Sequence, residues 1–258
     1  MLLKFKDMLL KFQDILFFSN FIEKIKKIQE DKFRQFDLDR QSAIQLISNI
    51  KNEYPFLNRE MSSEHELIFS ALSLNNKYKF KNILEIGTHD GANAFLLSKL
   101  FPSSKIMTWD LDEKNSYFIN SYNRANKIFL KKFLLRRNKI IKLNKNIIFK
   151  KKNSLFLAFE KKEFDLIWID GSHGYPMIAF DIINCLRLCN RKSIILIDDI
   201  YLNKISKYDS TYNSNGGLES LEQLKHENVI KYELFFKRIN IKNNIFKKKF
   251  IAIVKKNK

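Results

Sequence analysis

The chain has 258 residues, 45% of them hydrophobic, which is enough apolar material for one α/β domain with additions. Its 47 Lys and Arg against 28 Asp and Glu give a net charge of +19, and charges interrupt every apolar run before the roughly 18 residues that a membrane-spanning helix needs. Such a charge ordinarily suggests nucleic acid or an anionic membrane as partner. The basic residues are spread along a chain rich in Lys, Asn and Ile, the bias of AT-rich coding DNA, with concentrations at 131–152 and 246–256. A solvated basic surface is therefore the expectation, with nucleic acid kept as the alternative partner.

The first twenty residues, MLLKFKDMLLKFQDILFFSN, have the basic and apolar character of a targeting peptide, but Asp7 and Asp14 break the apolar core and no small-residue cleavage site follows. They are expected to be helical. Leu9, Phe12, Ile15 and Leu16, then Ile22, Ile25 and Ile28, recur at spacings of three and four, so residues 1–60 are expected to be a helical extension that caps the core or joins two copies. The remaining chain, 61–258, is expected to be the main domain. Ser62 or Ser63 can cap a helix through SSEHELIFSAL, whose Glu64 and Glu66 suit the dipole at its first turn.

From residue 80 short apolar runs alternate with helical stretches. NILEIG (82–87), SKIMTWD (104–110), NIIFKKKN (146–153), FDLIWID (164–170) and SIILIDD (193–199) read as strands of a parallel sheet, and ANAFLLSKLF and MIAFDIINCLRLC as crossover helices. Two further β-like segments, around 230–237 and 249–254, are joined closely enough for an antiparallel pair at the sheet edge. The expected fold is a doubly wound, Rossmann-like, mostly parallel α/β sheet with that C-terminal pair, preceded by helices. Cys185 and Cys189, four apart in a helical pattern, are too few for a disulfide framework and are expected to pack in the core of a protein from a reducing cytoplasm.

In such sheets the ligand lies beyond the carboxyl ends of the strands. The first run closes in Glu85-Ile86-Gly87-Thr88-His89-Asp90-Gly91 and passes into a helix, where Gly87 and Gly91 permit tight turning and the helix N-terminus offers free N–H groups. The spacing is GxxxG, not the GxGxxG suited to a dinucleotide pyrophosphate. Asp110 ends the second run at about the 20-residue distance from the glycine loop where an acid meets a ribose. Asp112 is the competing, more exposed candidate.

These runs together, ILEIGTHDGANAFLLSKLF, MTWDLDE, FDLIWIDGSHGY and SIILIDDI, closely resemble the class I S-adenosylmethionine-dependent methyltransferases, and more narrowly the small-molecule O-methyltransferases of the catechol and macrolide-sugar types. The resemblance covers about residues 80–200. It implies that the loop from Glu85 to Gly91 holds the methionine part of the cofactor, Asp110 the ribose hydroxyls, and Asn153 and Ser154 a place by the adenine. Asn153 stands where an Asp is common, and Cys189-Asn190-Arg191-Lys192 where a Pro-Gly-Gly turn is usual.

The fourth and fifth runs end in Asp170 and in Asp198-Asp199. Tips of neighbouring parallel strands lie about 4.8 Å apart, so these carboxylates can converge on one hard cation such as Mg²⁺, and the resemblance to metal-dependent O-methyltransferases implies the same three ligands. Asp170 also adjoins the cofactor region. His173, three residues beyond Asp170, is the expected base for the acceptor hydroxyl, while His89 is expected to shape the pocket wall and His65 and His226 to lie on the surface. The implied reaction is methyl transfer to the hydroxyl of a small molecule or sugar. A nucleic-acid methyltransferase is disfavoured because IDGSH replaces the Asn/Asp-Pro-Pro-aromatic motif, and a nicotinamide dehydrogenase because GxGxxG is missing; a non-catalytic nucleotide-binding module would have no use for Asp170, Asp198 and Asp199.

Overall fold

A strand covered by helices on both faces has no polar side, and the central apolar runs of this chain are of that kind. The computed structural model describes residues 21–58, 63–203, 214–239 and 248–257. The expected helix over residues 1–20 and a cap at Ser62 lie outside them. Five parallel strands, β1 (Asn82–Ile86), β2 (Lys105–Asp110), β3 (Ile147–Lys151), β4 (Phe164–Ile169) and β5 (Cys189–Tyr201), are followed by β6 (Ile230–Phe236) and β7 (Lys249–Lys256). They form one sheet in the order β3-β2-β1-β4-β5-β7-β6, with β7 antiparallel to both neighbours. The expected doubly wound sheet with an antiparallel C-terminal pair is therefore observed.

Alternation along each strand divides the core between the two faces. Ile83, Ile106, Leu166, Trp168 and Leu196 face one side, where α4 (Ala92–Leu100) and α6 (Lys127–Ile141) contribute Leu97 and Ile140. Leu84, Met107, Ile167, Ile169 and Ile195 face the other, beneath Ile182 of α7 (Met177–Arg187) and Leu221 of α8 (Gly216–His226). Among the described residues no helix is long and apolar enough to cross a membrane.

The N-terminal helices join this core. Residues 21–35 form α1, followed by α2 (Arg40–Glu53) and α3 (Glu64–Leu74). Phe33, Ile47 and Phe69 pack in the first face's cluster, whereas Ile22 and Ile25 pack in the second, so α1 passes around the β6 edge from one face to the other. On the way Gln29, fully buried, accepts from the Phe236 N–H at 2.9 Å and donates to the Phe236 carbonyl at 3.2 Å. A side-chain amide thus makes the pair of bonds that a further strand would make to this edge.

Three local expectations need correction. Ser63 sits at the N-cap of α3 but its hydroxyl lies 2.8 Å from His65 Nδ1 instead of capping the helix. His65, expected on the surface, is buried against Trp168 with ring centroids 5.1 Å apart, because its helix turns that face onto the sheet. Cys185 and Cys189 do not share a helical turn, since α7 ends at Arg187 and Cys189 opens β5; both are buried free thiols, as core packing requires. His226 is exposed as expected, and Glu64 and Glu66 do open α3, where they pair with Arg40 and Lys51.

Replacing Gln29 by Leu strands the N–H and carbonyl of Phe236 in a buried setting. The expected loss is about 2 kcal/mol, in the range for buried polar groups left unpaired, read as a lowered midpoint in urea or thermal unfolding.

Candidate functional site

The sheet register lines up the strand tips. Trp109, Ile86, Ile169 and Ile197 stand side by side across β2, β1, β4 and β5. The next residue in each, Asp110, Gly87, Asp170 and Asp198, therefore forms a row along the carboxyl edge, spanning roughly 14 Å at three strand spacings. Strand order reverses direction between β1 and β4, the switch point where doubly wound sheets bind ligands.

On the β1 side the loop is tightly held. Gly87 has φ +97°, and a Cβ there would lie 2.1 Å from the Asp170 carbonyl oxygen, so only glycine lets β1 and β4 approach at this point. His89 (φ 49°) and Gly91 (φ 80°) complete the turn, and Gly91 is the N-cap of α4. Glu85 is fully buried beneath it, accepting from Asn93 Nδ2 at 2.8 Å and from the Thr108 hydroxyl at 2.5 Å. Its place is thus under the loop, holding β1, β2 and α4 together. His89 stands edge-on to Tyr122 and Phe133, with ring centroids 5.2 Å from each.

Asp110 accepts the His89 N–H at 2.9 Å and the Leu111 N–H at 2.8 Å, one donor per oxygen, which leaves lone pairs for two neighbouring hydroxyls. Burial raises its pKa above the usual carboxylate range, against the pull of those backbone donors and of Arg124 and Arg137. Asp112 is exposed. Asn153 ends the β3 side, its side chain accepting from Leu155 N–H at 2.9 Å as the cap of the turn beginning at Ser154. In place of a Pro-Gly-Gly turn, Asn190, the second residue of β5, accepts the Lys192 N–H on its side chain and donates its own N–H to the Ser193 hydroxyl.

The acidic cluster depends on a break in the ladder. Regular alternation would send Asp198 and Asp199 to opposite faces. Between the pairs Ile197 with Ala252 and Ile200 with Phe250 the register shifts, and Asp199 takes φ 52°, so β5 carries a bulge that turns both acids toward one place. Asp is among the few residues that enter this left-handed region readily.

His173 follows in the β4 loop, 7% exposed, with Nε2 3.5 Å from Asp170 Oδ1 and 4.0 Å from Asp199 Oδ2; its Nδ1 has no hydrogen-bond partner. Asp170, His173 and Asp198 bring ligand atoms within 4.8 Å of one another. Two lysines that the sequence did not single out complete the cluster. Lys237 follows β6 and donates to Asp198 Oδ2 at 2.5 Å and Asp199 Oδ1 at 2.6 Å, while Lys249 at the start of β7 bonds Asp199 Oδ2. They arrive there because β6 runs parallel to β5 and β7 antiparallel, so the end of one and the start of the other share the carboxyl edge.

The charges move one another. Burial would raise the Asp170 carboxyl, yet the bond and charge of His173 and the charge of Lys237 hold it at about 2. Burial pushes Asp198 up to about 7 in spite of Lys237, with Asp170 and Asp199 adding repulsion. Burial would also raise Asp199, but Lys237, His173 and Lys249 outweigh it and the carboxyl stays below its usual range. For His173, burial favours the neutral ring, but Asp170, Asp199 and Asp198 outweigh it and raise the pKa. The same acids raise Lys237 against its burial, keeping it an ammonium.

A divalent ion held by Asp170, Asp198 and Asp199 does not fit these residues as they stand. Both oxygens of Asp199 and one of Asp198 already accept from ammonium groups, so two fixed cations, Lys237 and Lys249, already share the site with the acids.

A glycine-loop strand, an acid ending the next strand and a polar cluster at the switch point are the features with which doubly wound α/β sheets hold nucleotide-type ligands. Residues 84–200 match a family model described as a methyltransferase domain. Similar solved structures include the Streptomyces achromogenes O-methyltransferase TomG, of tomaymycin synthesis, with S-adenosylmethionine bound (14% identity, 89% of this chain and 96% of that one, TM-score 0.52). A Bacillus cereus O-methyltransferase in complex with S-adenosylhomocysteine (15%, 92% and 100%, 0.51) and the N-methyltransferase NodS from Bradyrhizobium japonicum (14%, 76% and 96%, 0.50) are also similar. No curated protein matches the sequence. Over residues 84–200 the chain is thus similar to a methyltransferase domain, and these solved structures share its fold.

Gly87→Ala drives a methyl group into the Asp170 carbonyl. The expected result is a loss of at least about 3 kcal/mol of stability, or no folded protein, as strain and overpacking of this kind cost 1–3 kcal/mol each; urea unfolding reads it directly.

Proposed function

We propose that the protein methylates an oxygen of a small hydroxylated acceptor, with His173 taking the hydroxyl proton. The similar structures include both O- and N-methyltransferases, so the fold leaves the acceptor atom open. The observation that carries oxygen is the buried imidazole of His173 among three carboxylates and an ammonium, at the switch point and beside Asp170. An aliphatic or phenolic hydroxyl must lose its proton to attack, whereas a neutral amine attacks with its lone pair. A base with positive charge close by suits the first case.

The cofactor, when bound, supplies a methyl group already activated on a sulfonium. The chain's own residues then divide the work. The loop from Gly87 to Gly91 and the start of α4 receive its amino-acid part, Asp110 the ribose hydroxyls, and Asn153 and Ser154 border the adenine. Asp170 and Asp199 orient His173, and the orphaned Asp198 Oδ1 is a further acceptor for a substrate hydroxyl. Excluding water from the buried cluster strengthens each of these interactions. No step is assigned to a divalent ion.

Asp110→Ala is expected to weaken S-adenosylhomocysteine binding about 10- to 100-fold, the loss of hydrogen bonds to a charged group, in calorimetric titration. A wild-type protein that gives no heat with the cofactor or its product defeats the assignment.

His173→Ala is expected to keep cofactor affinity and lower turnover by about 10²–10⁴, assayed by transfer of labelled methyl to a panel of hydroxylated acceptors. Its raised pKa means the neutral, proton-accepting ring appears only at higher pH. Wild-type kcat should therefore climb through a midpoint above about 6.5, the ordinary imidazole value. An unchanged profile in the His173→Ala protein shows that another group is the base.

A further inference from the structure

Acidic residues at neighbouring strand tips require positive charge, and in this chain that charge is covalently attached. Lys237 is 8% exposed and bridges Asp198 and Asp199, the two acids that the β5 bulge brings together. Its backbone is fixed at both ends, the N–H donating to the Lys249 carbonyl at 3.0 Å and the carbonyl accepting the Glu64 N–H at 2.9 Å. Glu64 is itself clamped by Arg40 through two bonds of 2.9 and 2.8 Å. A lysine anchored this way presents its ammonium at one point with little conformational freedom left to lose on binding.

We infer that the Lys237 ammonium is the resident cation of the acceptor site, standing where a divalent ion would otherwise bridge the strand tips, and that methyl transfer here needs no metal. The inference rests on the methyltransfer reading for its purpose, but not for its chemistry. An ion bound to Asp198 Oδ1, Asp170 and His173 would lie beside a fixed positive charge of the same site, and repulsion at such range in a buried setting is severe. Lysine also changes what the site can do. One ammonium gives three donors and a single charge, so it favours a developing alkoxide through hydrogen bonds, and it imposes no octahedral geometry on the acceptor. A second hydroxyl chelating the same centre is then unnecessary, and acceptors with an isolated hydroxyl become suitable.

The test is Mn²⁺ binding to the full chain, followed by electron paramagnetic resonance of the free ion, alongside calorimetry with S-adenosylhomocysteine. The wild type is expected to show no Mn²⁺ site tighter than millimolar. Lys237→Met, which keeps the stem and removes the charge, should gain at least about tenfold in Mn²⁺ affinity, and Asp198→Asn added to it should abolish the gain. Lys237→Arg, which retains the cation, should bind no more Mn²⁺ than wild type. A micromolar Mn²⁺ site in the wild type overturns the inference whether or not the variants fold, and so does a folded Lys237→Met protein with no gain. Failure to bind S-adenosylhomocysteine, with the Mn²⁺ results as expected, overturns the methyltransfer reading alone.

Discussion

Three carboxylates gathered at one edge, two of them buried, repel one another, and the architecture at the carboxyl edge is arranged around that constraint. Asp198 and Asp199 are 3% and 9% exposed, and desolvation there is costly unless opposite charge lies within contact distance. The antiparallel C-terminal pair meets this need. Had β6 and β7 been omitted, β5 would be the last strand, and neither Lys237 nor Lys249 would reach the acids. The strand pair thus both closes the sheet and neutralises the site, and the clamp from Arg40 through Glu64 to the Lys237 carbonyl extends that dependence to α2 and α3.

Position along the row of strand tips also separates the tasks of the site. Asp110 and the glycine loop belong to β2 and β1, on one side of the reversal in strand order, and Asp170, His173, Asp198 and Lys237 belong to the other. Gly87 is where the halves touch, its Cα packed against the Asp170 carbonyl. On the proposed reading, the cofactor half is neutralised mainly by backbone N–H groups and the acceptor half by side-chain cations. The difference matches their chemistry, since a sulfonium carries its own positive charge whereas a forming alkoxide needs one supplied.

Much of this was legible in the chain. Buried parallel strands are short apolar runs, so all five were recognisable, and their last residues named Gly87, Asp110, Asp170, Asp198 and Asp199 as edge positions. What escaped had its cause at a distance in sequence. The bulge that turns Asp198 and Asp199 the same way arises from the register with β7, some 50 residues later. Lys237 and Lys249 were hidden among 47 basic residues, distinguishable only once β6 was known to run parallel to β5. Three acids expected to share a site were themselves a signal that some cation had to be found. His65 misled because a lone histidine in a helix carries no mark of which face it occupies. Glu85 was read as part of the cofactor loop, and the two bonds that place it beneath that loop, to Asn93 and Thr108, follow from α4 and β2 folding back over β1.

The Gln29 amide on the rim of the sheet bears on how copies of this chain can meet. An outer strand ordinarily invites a strand from a neighbouring molecule, and continuous sheets across two copies, domain-swapped pairs and fibrils all begin there. At Phe236 that invitation is already answered from within the same chain, and α1 lies across the approach. Self-association by strand addition is thereby obstructed at the end of β6 nearest the acidic cluster.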